Sequence, residues 1–221
     1  MSERLNPDAH RDVMLIQFAK WPEVGEVKTR LIPALGAAGA MKAHMQLTTT
    51  VLTHLAATEL SMQFWWDRAV SQVPEPATHL VAALGQRAIV QKTQTGGDLG
   101  ARMLDAITGN LRRYGKVIIV GSDCPSVEPA YVFAASEALD HSDVVIGPSN
   151  DGGYVLLGAR RVTAGMLAGI AWGSAQVMAQ TCDRLEAEGL SVSLLEPRWD
   201  VDDIEDWERF MTQASSSESD A

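Results

Sequence analysis

Short apolar runs recur along the chain at regular intervals. VMLIQF (13–18), SMQFWW (61–66), AIVQ (88–91), KVIIVGSD (116–123), DVVIGP (143–148), YVLLGA (154–159) and SVSLL (191–195) have the length and side-chain type of strands. Between them the apolar positions change to helical spacing, as with Met41, Met45, Leu52 and Leu55 in the segment from about Ala37 to Thr58. Further helices are predicted over Leu99–Tyr114, Glu128–Leu139, about Ala175–Glu188 and Ile204–Met211. Strands alternating with helices predict an α/β protein whose mostly parallel sheet is covered by helices on both faces. No internal repeat and no long linker divides the pattern. One domain is therefore expected over 13–211, between a flexible segment at 1–12 and a disordered polar tail at 212–221 that includes ASSSESDA.

Composition agrees with a single core: 221 residues, 46% of them apolar. The formal net charge of -10 argues against a broad nucleic-acid surface but leaves room for a local basic site. Two distant cysteines, Cys124 and Cys182, suggest neither a disulfide framework nor a metal knot, and point to a reducing cytoplasm. The polar start lacks a signal-peptide apolar region, and no run is long enough to span a membrane. His10, His44, His54, His79 and His141 show no zinc-ligand spacing.

In an open α/β sheet, ligands sit beyond the carboxyl ends of the strands. Four unusual loops occupy such positions: FAKWPEVGEVKTRL (18–31), GSDCPS (121–126), GPSNDGGY (147–154) and RWDVDDIEDW (198–207). The first lacks the G-x-x-x-x-G-K-[ST] spacing of a P-loop, and no G-x-G-x-x-G follows a strand. What it offers is Gly25, for close backbone approach, and the cations Lys20, Lys28 and Arg30, for phosphate oxygens. The same cations would also serve as ordinary solvated charges.

Asp123 ends a buried strand, a position that suits Mg²⁺, which takes one or two protein carboxylates and completes its shell with water and phosphate. Asp123 or Ser126 would alternatively cap the next helix. Asp200 and Asp202 flank Val201 on one face of an extended segment, so either offers a second ligand, with Asp202 preferred. Asp203, Glu205 and Asp206 fit the first turn of the closing helix. In QTGGDLGARM, Gly97, Asp98 and Arg102 have two readings: a phosphate or ribose site, or an N-cap with an i, i+4 pair. Asp151, in the DGG turn, is a candidate base facing an acceptor. The pair Trp65-Trp66 is expected to be structural.

Together, FAKWPEVGEVKTRL, GGDLGARM, GSDCPS, GPSNDGGYVLLGA and DVDDIEDW resemble a bacterial glycosyltransferase-like family with the GT-A (nucleotide-diphospho-sugar transferase) fold. That family is related to the 2-phospholactate guanylyltransferases and, more remotely, to the molybdenum-cofactor nucleotidyltransferases. The resemblance runs from about Val13 to Phe210. It implies phosphate-binding roles for Lys20, Lys28 and Arg30, a nucleotide-side role for Asp98 and Arg102, and Mg²⁺ or Mn²⁺ at Asp123 and at Asp202 or Asp200. The chain departs from the family at Trp172-Gly173-Ser174, where a Trp-Ser step is usual. Lys28, Asp123 and Asp151 are the residues expected to carry catalysis. The expected reaction is glycosyl transfer from a nucleotide sugar to a small acceptor. The alternatives are nucleotidyl transfer from a nucleoside triphosphate with release of pyrophosphate, and a non-catalytic nucleotide or metal sensor.

Overall fold

The computed structural model describes residues 12–219, with side chains through residue 215. Seven strands form one sheet: β1 (Val13–Ala19), β2 (Ser61–Trp66), β3 (Val90–Thr93), β4 (Lys116–Val120), β5 (Val144–Pro148), β6 (Tyr154–Ala159) and β7 (Val192–Leu194). Their order is β3-β2-β1-β4-β6-β5-β7, and only β6 runs against its neighbours. This is the mostly parallel GT-A architecture expected from the sequence. Among the described residues six α-helices cover it: α1 (Ile32–Ala56), α2 (Thr78–Gln86), α3 (Leu99–Asn110), α4 (Pro129–Ala138), α5 (Val177–Ala187) and α6 (Ile204–Ser219).

Alternate residues of β1 serve opposite cores. Met14, Ile16 and Phe18 pack with Met103 and Ile107 of α3 and Val177 and Leu185 of α5. Val13 and Leu15 pack with Val51 and Leu55 of α1 and Val132 and Ala135 of α4. All seven β1 residues are buried, as a strand with helices on both faces requires. No helix among the described residues is long and apolar enough to cross a membrane.

Several boundaries differ from the sequence reading, each for a local reason. α1 begins at Ile32 but is broken at Gly36 (φ 69°), so its continuous part starts near the expected Ala37. β3 lies two residues later than AIVQ, because Ala88 takes a left-handed conformation (φ 55°) after α2. α2 itself was not anticipated; its buried Leu80 and Leu84 pack against Phe64 and Trp66. α6 continues to Ser219 instead of giving way to a disordered tail at residue 212. The Thr212 and Ser215 hydroxyls donate to the carbonyls of Glu208 and Met211, one turn earlier. The expected flexible segment, except for Asp12, and residues 220–221 lie outside the described residues.

Candidate active site

β4 and β5 point the same way as β1, so all four loops singled out in the sequence meet at one edge of the sheet. The loop after β1 is fastened at both ends. Trp21 stacks on Trp66 with ring centroids 3.6 Å apart, its backbone N–H donates to Asp67 Oδ1 (2.9 Å), and its indole N–H donates to the Arg68 carbonyl (2.8 Å). The tip turns at Gly25 (φ 87°), after which Val27 drops into the core. Lys28 then adopts a left-handed backbone (φ 46°), uncommon for a side chain of this size, and enters a short 3-10 turn at Thr29–Leu31.

That backbone aims the Lys28 side chain inward, where only 9% of it is accessible. Its ammonium donates to Asp123 Oδ2 (3.0 Å) and to the Val201 carbonyl, and lies 3.7 Å from Asp202 Oδ1. Burial alone would lower the Lys28 pKa, but Asp123 and then Asp202 outweigh it and raise it. Desolvation would raise the Asp123 pKa, yet the Lys28 ammonium holds it below the usual value. The Asp123 side chain nevertheless keeps 40% of its surface accessible, so it is both paired and open to a ligand.

The closing segment is fixed by Val201, which is fully buried and whose N–H donates to the Asp123 carbonyl (3.0 Å). Asp200 and Asp202 therefore both face Asp123, and the three offer carboxylate oxygens within 4.8 Å of one another. Both positions considered in the sequence meet Asp123. Asp202 is also paired with Arg30 (2.9 Å). Among the described residues no cation pairs with Asp200: burial, then Asp123, Asp202 and Asp151, push its pKa up to about 7. Asp203 and Asp206 form a reciprocal cap on α6, the Asp203 carboxylate accepting from the Asp206 N–H (3.1 Å). Neither Asp123 nor Ser126 caps α4. Ser126 donates to the Trp199 carbonyl, and Glu128 occupies the cap position.

A cavity of about 400 Å³ opens beside this cluster, lined by Lys20, Lys28, Arg30, His44, Asp67, Gln94, Arg102, Ser122, Asp123 and Asp202, among others. A second, also about 400 Å³, adjoins it, sharing Arg30, Leu99 and Asp202, and is bounded by Asp151, Tyr154, Trp172 and Ser174. Asp151 is held by the Gly153 N–H (3.0 Å) and by the Ser149 hydroxyl. The four cations Lys20, Lys28, Arg30 and Arg102 thus share one cavity. Gly25, Gly97 and Asp98 do not line it. Asp98 is the N-cap of α3, accepting from the Ala101 N–H (2.8 Å), while Arg102 turns toward the Gly96 carbonyl and not toward Asp98.

Sequence reasoning missed the bracing behind these loops. Gln17, fully buried in β1, donates to the Thr48 carbonyl (3.0 Å) and the Ser122 hydroxyl (3.1 Å), while Ser122 donates to the Phe18 carbonyl (2.7 Å). Burial lowers the His44 pKa, and the neutral ring donates from Nε2 to the Lys20 carbonyl (3.0 Å). A polar residue inside VMLIQF was the visible signal for Gln17. His44 had none.

The family model described as "Uncharacterized protein conserved in bacteria (DUF2064)" matches residues 51–174. The chain belongs to that family. Among solved structures, this DUF2064 protein is similar to a candidate nucleotide-diphospho-sugar transferase from Desulfovibrio desulfuricans G20, with 32% identity, a TM-score of 0.79, and coverage of 87% of this chain and 83% of that one. It also shares its fold with a nucleotidyl transferase from Methanothermobacter thermautotroptrophicus (13% identity, TM-score 0.63, 93% and 98% covered). The same holds for a cytidylyltransferase from Leptospira borgpetersenii serovar Hardjo-bovis (11%, 0.54, 90% and 84%). No curated protein matches the chain.

Proposed function

We propose that this DUF2064 protein is a metal-dependent transferase that takes a glycosyl group from a nucleoside diphosphate sugar and passes it to an acceptor hydroxyl. The observation that carries this reading is the pair of adjoining cavities: one rich in cations and lined by the Lys28–Asp123–Asp202 cluster, the other holding an exposed carboxylate, with Asp202 of that cluster on the wall they share. Asp123, Asp202 and Asp200 form a hard-oxygen set that fits Mg²⁺ or Mn²⁺. Such an ion would supply Lewis-acid stabilisation of the departing diphosphate. Lys28, Arg30, Lys20 and Arg102 neutralise phosphate oxygens in a partly desolvated cleft, where fixed charges act strongly. The bond between the anomeric carbon and the diphosphate oxygen breaks, the acceptor oxygen bonds to that carbon, and Asp151 takes the hydroxyl proton.

The number of cations in the first cavity supports a second reading, in which a nucleoside triphosphate binds there, an acceptor oxygen attacks the α-phosphorus, and pyrophosphate leaves. One experiment separates the two. Thermal unfolding is followed with Mg²⁺ or Mn²⁺ against nucleotide sugars and nucleoside triphosphates, for the unmutated protein and Asp123→Ala. Ligand at about 100 times its dissociation constant adds roughly 2.7 kcal/mol. For a chain of this length that is a rise of about 5–10 °C. Stabilisation by a nucleotide sugar, absent in Asp123→Ala, is the expected result. Stabilisation by triphosphates alone would favour nucleotidyl transfer, and no nucleotide effect would remove both readings.

A further expectation concerns Gln17. Its Oε1 is buried without a hydrogen-bond partner, so Gln17→Leu removes an unsatisfied acceptor as well as two donated bonds. Unfolding temperature should change by less than about 4 °C. Mn²⁺ affinity, read by calorimetry, should fall about tenfold, because the loop carrying Asp123 loses its brace. Unchanged Mn²⁺ affinity would show that the Gln17 brace is irrelevant to the metal.

A further inference from the structure

Every donor of the Lys28 ammonium already has a partner within the protein. The group carries three N–H bonds. One is given to Asp123 Oδ2 (3.0 Å) and one to the Val201 carbonyl, and Asp202 Oδ1 lies 3.7 Å away, in ion-pair range of the third. Lys28 thus lines the first cavity while holding its charge on the carboxylates, with 9% of the side chain accessible. Two other cations of the same cavity differ. Lys20 is exposed, and 71% of the Arg30 side chain is accessible, so both are open to a phosphate as they stand.

The carboxylates that hold the ammonium are two of the three that fit the metal. A divalent ion at Asp123 and Asp202 would draw on the same oxygens and, at this range, repel the ammonium. The two cations therefore compete for one place. The Lys28 backbone suits a residue with two positions: its left-handed conformation (φ 46°, ψ 46°) is of a kind that persists where surrounding contacts hold it, and that gathers at switching segments.

We infer that Lys28 plugs the carboxylate cluster of the metal-free protein, is displaced when Mg²⁺ or Mn²⁺ binds, and then gives its ammonium to the phosphates of the substrate; the inference rests on the metal-dependent reading above. Metal and phosphate are thereby coupled through this lysine, over and above any direct contact between them. Without the ion, a phosphate in the cavity meets Lys20, Arg30 and Arg102 but not Lys28. The site consequently favours a nucleotide that arrives with its metal over one that arrives without it.

The test is acetylation of the lysines of the full, unmutated chain with an N-hydroxysuccinimide ester, read residue by residue by mass spectrometry. In EDTA, Lys28 should react at least about tenfold more slowly than the exposed Lys42. Mn²⁺ should raise the Lys28 rate about fivefold or more and leave Lys42 unchanged. Inorganic pyrophosphate added with Mn²⁺ should protect Lys28 again, whereas pyrophosphate in EDTA should not alter its rate. Calorimetry supplies a second readout: Mn²⁺ should bind Lys28→Met about tenfold more tightly than the unmutated protein, the competitor being gone. Mn²⁺ that binds while Lys28 stays protected would overturn the displacement and leave the transferase reading standing. Exposure by Mn²⁺ with no protection by pyrophosphate would overturn the transfer of the ammonium to phosphate. No binding of Mn²⁺ to the unmutated protein would remove the metal-dependent reading itself.

Discussion

Lys28→Met should lower the unfolding temperature of the metal-free protein by about 4–8 °C and reduce transfer at least 100-fold. The two effects have one origin. The Lys28 ammonium is the only cation within ion-pair distance of Asp123 among the described residues, and it also reaches Asp202. Removing one member of a buried pair costs about 3–5 kcal/mol. Asp123 is 40% accessible, so water screens part of that loss and about 2 kcal/mol is the better expectation. At 2–4 °C for each kcal/mol in a chain of this size, the stated shift follows. Transfer suffers because a fixed charge beside the departing phosphates is gone. Metal should reverse the first effect but not the second. With Lys28 absent, three carboxylates face one another with a single cation, Arg30, at Asp202, so Mn²⁺ should stabilise the variant more than the unmutated protein. Differential scanning calorimetry with EDTA and with Mn²⁺ reads this directly. An unchanged unfolding temperature in EDTA would show that the Lys28 pair adds nothing to the fold.

The parts of this molecule that were legible in the sequence are those governed by local pattern. VMLIQF, SMQFWW and KVIIV are strands because buried parallel strands need continuous apolar runs, and that signal does not depend on the rest of the chain. The alternation of Asp200, Val201 and Asp202 placed both carboxylates on one face of an extended segment, and in the structure both lie near Asp123 with Val201 buried between them. What was not legible is what depends on contacts across the chain. Asp123 lies 95 residues from Lys28, and no spacing rule indicates that the lysine would point into the carboxylates and not toward solvent. Asp98 had two physically sound readings, and the local one, the helix cap, formed. Asp67 carried no motif, and Trp21 lay within the first loop with no role assigned to it. They matter because β1 and β2 are neighbours in register, which is a property of the sheet.

Asp200→Asn should make the metal-free protein more stable at pH 8, with a gain that shrinks as pH falls and is gone below about pH 4. The Asp200 pKa is raised from its ordinary 3.8 to about 7 by burial and by the carboxylates of Asp123, Asp202 and Asp151. A group whose folded pKa lies above its unfolded value holds its proton more tightly when folded, so it costs nothing below about pH 4. Its cost grows as pH rises to about 7 and is constant above that. Three pKa units correspond to about 4 kcal/mol. Partial solvent access roughly halves this, to about 2 kcal/mol. Asparagine carries no charge to bury, so the variant should lack that slope and unfold about 4–8 °C higher than the unmutated protein at pH 8 in EDTA. Mn²⁺ should reverse the ranking, because the ion compensates the Asp200 carboxylate and the variant supplies a weaker, neutral ligand in its place. A site kept at a cost to the fold and repaid on ligand binding is the usual relation between function and stability. Parallel pH profiles for the two proteins in EDTA would show that the Asp200 carboxylate is no burden to the fold, and with that the case for a cation-deficient site would fail.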